Sequence, residues 1–287
     1  MVGHDGTILV SGATGSTGSA LVGELLARGA PVTAMVRNGS STVPEGVRTA
    51  VADFDDPAAV AAALRGVRAA YLVTPSSERA QEQQERFAEA AADAGVEHLV
   101  VLSQYAAVTD SPVRFLRYHA AVERRVRELG IGYTFLRPNL YFQGLFAMAD
   151  MIREQGRMVA PIGDARVSAV DVRDIAAVAA VALTEPGHVG RSYEITGPAA
   201  VTHGEIAGAV SGAVRRPVEF VDVPPEAFAA ALRGVLPDWQ VDGLLEDYAH
   251  YARGEAARVH PTVAEVTGRP ARDVATFARD HAPAFGG

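Results

Sequence analysis

Short apolar runs alternate with amphipathic segments along the first half of the chain. Residues 8–10 form a continuous apolar run, which is typical of a parallel strand covered on both faces. Residues 21–26 then carry apolar side chains at helical spacing. The same alternation predicts further strands at 32–36, 47–52, 69–73, 99–102 and 133–136, with helices at 57–64, 78–94 and 112–129. This pattern predicts an α/β fold, a doubly wound parallel Rossmann sheet with helices on both faces.

The pattern becomes richer in helix beyond residue 138. Helices are predicted at 145–153, 203–212, 225–232 and 237–253, with an apolar helix after residue 174 and a late strand at 192–195. We therefore assign residues 1–155 to a Rossmann domain, to which 168–198 return. Residues 156–167 and 199–287 are assigned to a smaller, α-rich C-terminal lobe.

One face of the predicted helix 237–253 is apolar. It carries Val241, Leu244, Leu245, Tyr248 and Ala252 at helical spacing. We interpret this face first as a packed lid or core stripe. A surface for a homodimer is the second interpretation.

A glycine triplet separates the first strand from the first helix. Gly12 permits a tight turn, Gly15 lets a ligand phosphate approach the backbone, and Gly18 lets the helix pack closely on the sheet. Ser16 or Thr17 is expected to cap the helix. Because the helix then directs its free amides at the turn, this segment predicts a pyrophosphate site for a dinucleotide. A plain tight turn is the alternative.

Arg37 ends the second strand, near the position where an acidic residue would bind an adenosine ribose diol. A guanidinium suits a 2′-phosphate through charge-assisted hydrogen bonds, so NADP(H) is favoured over NAD(H). The alternative is an ordinary solvated arginine.

Polar residues also follow the later strands, at the sheet edge where ligands of doubly wound folds bind. Asp53 is a candidate acceptor for the adenine amine, although Asp53 and Asp55 equally suit helix capping. The predicted cofactor site further includes Thr14, Phe54, Thr74, Pro75, Ser103 and Pro138.

Composition excludes several classes of function. A net charge of −8 gives no basic field for a nucleic acid. With no cysteine there are no disulfides, thiolate nucleophiles or cysteine-ligated metals, and no metal is expected. All 26 basic residues are arginine, which excludes lysine chemistry.

The sequence also predicts a cytoplasmic protein without a membrane span. The first ten residues lack the basic and apolar regions of a secretory signal. The longest apolar run, 175–183, is shorter than the roughly 20 residues that cross a bilayer.

Taken with these residues, the chain resembles the NmrA-like group of atypical short-chain dehydrogenases. The similar segments are GATGSTG (12–18), DFDDP (53–57), YTFLRPN (133–139), VDVRDIA (170–176) and EVTGRPARDVATFARDH (265–281), together with the arginine that ends the second strand. The resemblance implies a Rossmann domain, a smaller C-terminal substrate lobe and a preference for NADP(H). It also implies a membership that spans NAD(P)H:quinone reductases and catalytically silent redox sensors.

The Tyr-x-x-x-Lys pair that short-chain dehydrogenases generally use is absent. Only Tyr133 has even an arginine four residues later, on a predicted strand. His119 occupies the helix where the lysine would fall, and NmrA-like reductases often carry histidine or lysine there. His119 is therefore a candidate to bind the nicotinamide ribose and to supply a proton near neutral pH. The alternative is a core histidine bonded to a carbonyl.

Three further predictions concern the neighbourhood of His119 and the substrate. Glu123 could orient His119, but an i,i+4 pair with Arg127 is favoured. Tyr105 is a second candidate proton donor. The substrate pocket is expected to include Asn139, Tyr141 and Phe142, whose aromatic rings would suit a flat, apolar molecule.

The leading hypothesis is an NADP(H)-dependent reductase that passes hydride to a quinone-like or other conjugated carbonyl compound. A quinone needs little acid catalysis because its reduced oxyanion is delocalised, which accommodates a site without the Tyr-Lys pair. The competing hypothesis is a silent NADP(H)-binding sensor that regulates a partner. An epimerase or dehydratase would ordinarily need the missing pair.

Overall fold

The computed structural model describes residues 6–39 and 41–287. Ser40 and residues 1–5, the first half of the segment that is predicted to lack a secretory signal, lie outside the described residues. The described chain divides into two compact units. The first contains the chain up to Thr109 together with Leu116–Arg137 and Val172–Glu194, and the second contains Asp110–Phe115, Pro138–Asp171 and Ile195–Gly287. Apart from the short segment Asp110–Phe115, the chain leaves the first unit after residue 137, whereas the sequence pattern places this boundary at 155.

Among the described residues the chain forms nine strands and eleven α-helices. The strands are β1 (Thr7–Val10), β2 (Val32–Val36), β3 (Arg48–Val51), β4 (Val67–Leu72), β5 (His98–Leu102), β6 (Gly132–Pro138), β7 (Arg157–Ala160), β8 (Arg191–Ile195) and β9 (Glu219–Asp222). The helices are α1 (Ser16–Ala27), α2 (Pro57–Leu64), α3 (Ala80–Asp93), α4 (Arg114–Glu128), α5 (Ala149–Gln155), α6 (Val172–Thr184), α7 (His203–Val214), α8 (Pro225–Leu232), α9 (Asp238–Ala252), α10 (Thr262–Thr267) and α11 (Val274–Asp280). Two 3₁₀ segments cover Phe142–Met148 and Ala282–Phe285.

Seven strands form one sheet in the order β3-β2-β1-β4-β5-β6-β8. The pairs that join β3, β2, β1, β4, β5 and β6 are all parallel. The strand order reverses between β1 and β4, which is the topological switch point of a doubly wound fold. Val10 pairs with Ala34 on one side and with Tyr71 on the other, so the loops after β1, β2 and β4 leave the sheet at one edge. The predicted fold class is confirmed.

The core of the first unit consists of the apolar runs that the sequence pattern identified. Leu9, Leu72, Leu99 and Phe135 are buried together with side chains of the flanking helices. Helix α6 is buried along nearly its whole length and packs against α1. A helix that is apolar all round is expected in such a position.

The second unit has its own small sheet and core. Strands β7 and β9 pair in parallel, with Met158 opposite Phe220. Thr202 and Glu205 form a reciprocal capping box at the start of α7. Strand β9 is not among the predicted elements of this α-rich part of the chain, because a strand of four residues is too short to give a clear alternation.

The buried face of α9 differs from the predicted one. Leu244, Leu245 and Tyr248 are only half-buried and Ala252 is exposed. The buried residues are Val241, Gly243, Asp247, His250 and Tyr251. A Cβ at Gly243 would lie 2.2 Å from the ring of Phe115. Because glycine has no side chain, α9 can pack directly against that ring. The buried face of α9 therefore includes a glycine that approaches an aromatic ring, which apolar spacing does not reveal.

No helix of the described part of the chain is both long enough and apolar enough to cross a membrane.

Candidate functional site

The glycine turn after β1 has the geometry that the spacing predicted. Gly12 adopts a positive φ of 57°, and a Cβ there would lie 2.6 Å from Val73 Cγ1. A Cβ at Gly18 would lie 2.1 Å from the carbonyl oxygen of Gly12. The amide of Gly15 donates to that same carbonyl at 2.9 Å and closes the turn. Only glycine fits the first and third positions without movement of the backbone.

The first turn of α1 is open to a ligand. Gly15 is the N-cap residue, and no side chain caps the helix. The expectation that Ser16 or Thr17 caps the helix is therefore wrong, because both residues lie inside it. Thr14, Gly15 and Ser16 are exposed, and the first amides of a helix lack partners within it. These amides and the glycine backbone fit the pyrophosphate of a dinucleotide.

Beneath this turn, the side chain of Thr17 points into the protein interior, where it is hydrogen-bonded to β4. It is buried and shares a hydrogen bond with the hydroxyl of Tyr71 on β4, and burial raises the pKa of Tyr71. Ser11 links the ends of β1 and β4, since its hydroxyl accepts from the Val73 amide at 2.8 Å and donates to the Val73 carbonyl at 3.0 Å. Thr17 therefore has only its backbone amide to offer a cofactor.

Arg37 lies directly after β2, at the edge of the sheet shared with the glycine turn. Its side chain is exposed and forms no hydrogen bond or ion pair with any described residue. A guanidinium without a partner among the described residues, at the sheet edge of the glycine turn, fits a 2′-phosphate. The structure is equally compatible with a solvated arginine, so the cofactor preference stays a prediction.

In the acidic loop after β3, the residue that caps α2 is not Asp53, the residue predicted to contact adenine. Asp56 caps α2 by accepting from the amides of Ala58 and Ala59. Asp53 is exposed and accepts from the amide of Asp55 at 2.9 Å. The carboxylate of Asp55 instead accepts hydrogen bonds from Gln83 and Arg79, and these bonds lower the pKa of Asp55.

The neighbouring predicted residues differ in exposure. Phe54 is half-buried, with its ring 5.8 Å from that of Phe87. Pro75 is exposed after β4, whereas the hydroxyl of Thr74 accepts a hydrogen bond from Gln84 Nε2 at 2.9 Å. Phe54, Thr74 and Pro75 thus lie in loops at the ligand edge of the sheet, as their positions after strands predicted.

Ser103 is directed at a buried carboxylate. Its hydroxyl donates to Glu123 Oε1 at 2.7 Å. Arg137 donates to both oxygens of Glu123, at 2.7 and 2.6 Å, and Arg127 donates to Oε2 at 3.0 Å. The predicted pair between Glu123 and Arg127 is confirmed. Ser103 is committed to this network through its donated proton, which argues against a direct donor role toward a cofactor.

His119 lies on α4 one turn before Glu123 and is 9 % exposed. Its Nδ1 atom is buried without a hydrogen-bond partner among the described residues, and its ring lies 4.1 Å from that of Tyr118. Burial lowers the pKa of His119 to about 3. The side chain is therefore neutral near pH 7, which argues against the predicted supply of an imidazolium proton. It is also not the carbonyl-bonded core histidine of the alternative interpretation.

Tyr105 follows β5 and is nearly buried. The next residue, Ala106, has a φ of 59°, a left-handed conformation that a residue with a Cβ rarely adopts. Such strain tends to occur in functional loops. Tyr105 stays a candidate donor.

The predicted substrate residues in the second unit are mostly structural. Asn139 is buried; its amide donates to Ser168 Oγ and to the Ala256 carbonyl, each at 2.9 Å. Phe142 is 3 % exposed and its ring lies 5.4 Å from that of Phe277 in the core. Because both side chains are used inside the unit, the structure argues against these two assignments to a pocket wall. Pro138 is also buried, and Tyr141 is half-buried.

Two functional candidates were missed from the sequence. Arg137 was considered only as the residue four positions after Tyr133. Its partner Glu123 lies 14 residues away in the sequence, so no helical or strand spacing predicts the pair. Gln84, in contrast, falls at helical spacing with Ala80, Phe87 and Ala91 on the buried face of α3. A polar residue at an apolar position of the helical pattern could have indicated a buried hydrogen bond.

Comparison with known proteins identifies the class to which this fold and glycine turn belong. Residues 4–267 match the NmrA-like family, and the chain belongs to that family. It is 40 % identical over 283 residues to an NAD(P)H azoreductase of Xenophilus azovorans, covering 97 % of this chain and 99 % of the relative. It is 39 % identical over 281 residues to a (4-alkanoyl-5-oxo-2,5-dihydrofuran-3-yl)methyl phosphate reductase of Streptomyces griseus, covering 97 % of this chain and 99 % of that protein.

A solved structure extends the similarity to three dimensions. The NADPH-dependent quinone oxidoreductase of Escherichia coli in complex with NADPH superimposes with a TM-score of 0.83 at 28 % identity, covering 94 % of this chain and 98 % of that chain. The predicted family and the predicted enzyme class, an oxidoreductase that depends on a nicotinamide cofactor, are confirmed.

Proposed function

We propose that this protein is an NADP(H)-dependent reductase that transfers hydride to a quinone-like or other conjugated carbonyl compound. The observation that carries the proposal is the uncapped N-terminus of α1 at the same sheet edge as Arg37, which is exposed and pairs with no described residue. The helix amides and the glycine backbone would hold the pyrophosphate, and Arg37 the 2′-phosphate. The bound nicotinamide would supply the hydride.

Residues of this chain would then position the cofactor, and the substrate oxygen would take its proton from a weak donor or from water. His119 is neutral, so its proposed role is a hydrogen bond to the nicotinamide ribose. Tyr105 remains the candidate donor to a substrate oxygen. Because a reduced quinone delocalises its charge, a weak donor or water is sufficient for this class of acceptor.

The relatives support a conjugated acceptor without selecting one compound. The Streptomyces relative is named for a dihydrofuranone that carries an alkanoyl group, a conjugated carbonyl compound, and the Escherichia coli protein is named for quinones. The azoreductase is equally similar to this chain and is named for a different acceptor. The second unit is the proposed substrate lobe. With Phe142 buried in its core, a flat substrate is supported by these names rather than by an aromatic wall.

The proposed cofactor preference is tested with Arg37→Asp. We expect NADPH affinity to fall about 10- to 100-fold, the equivalent of a charged hydrogen bond of about 1.5–3 kcal/mol, while NADH affinity changes little. Titration of each cofactor by intrinsic fluorescence measures both constants. The matched control is Arg65→Asp, because Arg65 is also exposed but follows α2 at the opposite edge of the sheet. Equal losses of NADPH and NADH affinity would contradict recognition of the 2′-phosphate.

The proposed activity is tested by NADPH oxidation with a panel of quinones, enones and azo compounds. Turnover with at least one conjugated carbonyl acceptor is expected. Tight NADPH binding without turnover on any acceptor would instead support the silent sensor. Turnover confined to azo compounds would keep the reductase and replace the proposed substrate class.

A further inference from the structure

Gln84 is a buried polar residue on an apolar helix face. Ala80, Phe87, Ala88 and Ala91 share the buried side of α3, and Gln84 lies among them at 1 % exposure. Burial of a primary amide is unfavourable unless its groups are hydrogen-bonded. Gln84 Nε2 donates to Thr74 Oγ1 at 2.9 Å, whereas Oε1 is buried without a partner among the described residues. The bond to Thr74 is thus the interaction that this residue provides.

Thr74 adjoins the glycine turn through a rigid segment. Both backbone groups of Val73 are bonded to the hydroxyl of Ser11 at 2.8 and 3.0 Å. Val73 also contacts Gly12, since a Cβ at Gly12 would lie 2.6 Å from Val73 Cγ1. The residue after Val73 therefore has a fixed backbone position next to the turn that would hold a pyrophosphate.

In the hydrogen bond between Gln84 and Thr74, the threonine hydroxyl is the acceptor. A threonine hydroxyl has one proton to donate and two lone pairs that accept. Gln84 Nε2 occupies a lone pair, and the proton of Thr74 makes no bond to any described residue. Thr74 is half-buried, so this proton is available to a ligand.

We propose that Gln84 is a positioning residue that fixes Thr74 as a hydrogen-bond donor to an oxygen of the dinucleotide outside its adenosine 2′-phosphate portion. This inference rests on the proposed function, because it needs a bound dinucleotide. In this proposal Gln84 does not contact the ligand. It acts by setting the direction in which the hydroxyl proton of Thr74 points.

The decisive variant is Gln84→Glu, which keeps the shape and reverses the polarity. A carboxylate only accepts, so it would take the Thr74 proton and leave lone pairs facing the anionic cofactor. Gln81→Glu is the charge control, since Gln81 lies on the same helix but donates to Glu85. Thr74→Val removes the donor, and Thr74→Ser restores it.

The experiment titrates each variant with NADPH and with adenosine 2′-monophosphate, which lacks the pyrophosphate. Gln84→Glu and Thr74→Val are each expected to weaken NADPH by about five- to tenfold or more, with adenosine 2′-monophosphate unchanged. Thr74→Ser and Gln81→Glu should bind as the wild type does. Gln84→Glu placed in the Thr74→Val background should cause little further loss, because both changes remove one hydrogen bond.

Two results would overturn the inference. Wild-type NADPH affinity in Gln84→Glu would mean that the amide accepts from Thr74 instead of donating to it. Fully additive losses in the double variant would mean that Gln84 acts through the general fold. If Gln84→Glu does not fold, Gln84→Met replaces it, with a smaller loss that must again disappear in the Thr74→Val background. A wild-type protein that binds neither nucleotide would refute the proposed function itself.

Discussion

Several buried polar side chains of the first unit are held by partners far away in the sequence. Glu123 is 1 % exposed, and its carboxylate receives hydrogen bonds from Ser103, Arg127 and Arg137. Helical spacing predicted the Arg127 bond, because i,i+4 pairs are local. The bonds to Ser103 and Arg137 span 20 and 14 residues, so they depend on which strands become neighbours. Local patterns therefore identify the residue but not its main partners.

The Glu123 network predicts a large stability effect at one residue. In Glu123→Ala, Arg137 loses both of its bonds to the buried carboxylate, although its bond to Glu194 remains. Removing one partner of a buried ion pair costs about 3–5 kcal/mol, and we expect a loss of that order. Urea unfolding measures it. Glu89→Ala is the control, because Glu89 pairs with Arg125 at the surface, where ion pairs add little. Similar effects of the two variants would contradict the network's importance.

Residues after the sixth strand show where prediction from residue type fails. Asn139 and Phe142 were placed near a substrate because polar and aromatic side chains at a strand end suit a pocket. Asn139 bonds Ser168 and the Ala256 carbonyl, and Phe142 packs against Phe277. Two of these three partners lie more than 100 residues later in the chain. No local spacing reveals whether a side chain at a strand end faces inward or outward.

At the scale of elements, some helices were predicted with their observed bounds. Helix α2 begins at Pro57 and ends at Leu64 as predicted, and α8 also has its predicted bounds. Strand β9 was missed because a four-residue strand offers too few positions to show alternation. The capping prediction for α1 failed for another reason: glycine at the N-cap leaves the amides free.

Helix α1 provides two glycines with opposite expected effects. Gly18→Ala would place a methyl group 2.1 Å from a backbone oxygen, so we expect a loss of roughly 2 kcal/mol or more and loss of NADPH binding. Gly23→Ala has nothing within 4 Å of the new Cβ, and the higher helix propensity of alanine should stabilise the protein by about 0.5–1 kcal/mol. Thermal unfolding of both variants makes the comparison. If Gly23→Ala also destabilised the protein, the effect of Gly18→Ala could not be attributed to its contact with the glycine turn.

At the scale of the whole molecule, the alternation of strands and helices was sufficient for the fold class but not for the division into units. The chain leaves the first unit at residues 110–115 and after residue 137, and it returns at residue 172. The short excursion at 110–115 interrupts neither the apolar spacing nor the start of α4. Contacts between distant segments define such a boundary, and a sequence pattern records only neighbours along the chain.

Buried histidines couple the stability of the whole molecule to pH. Burial lowers the pKa of His119 to about 3, and it is the main cause that lowers the pKa of His98 and His203 to about 4. The ordinary value for histidine is 6.5. Below that pH the unfolded chain therefore binds protons that the folded protein does not bind. Stability is complete above about pH 6.5 and is lost progressively as the pH falls toward the folded values.

The contribution of His119 to this acid sensitivity is isolated by His119→Phe, measured without nucleotide. Between pH 7 and pH 5 the wild type should lose up to about 2 kcal/mol through His119 alone, and the variant should not lose that share. Urea unfolding at both pH values gives the difference. Val122→Ala is the control, since Val122 is buried on the same helix and its truncation should cost the same at either pH. An equal pH dependence for the wild type and His119→Phe would show that His119 titrates near its ordinary pKa in the folded protein, and would return it to consideration as a proton donor.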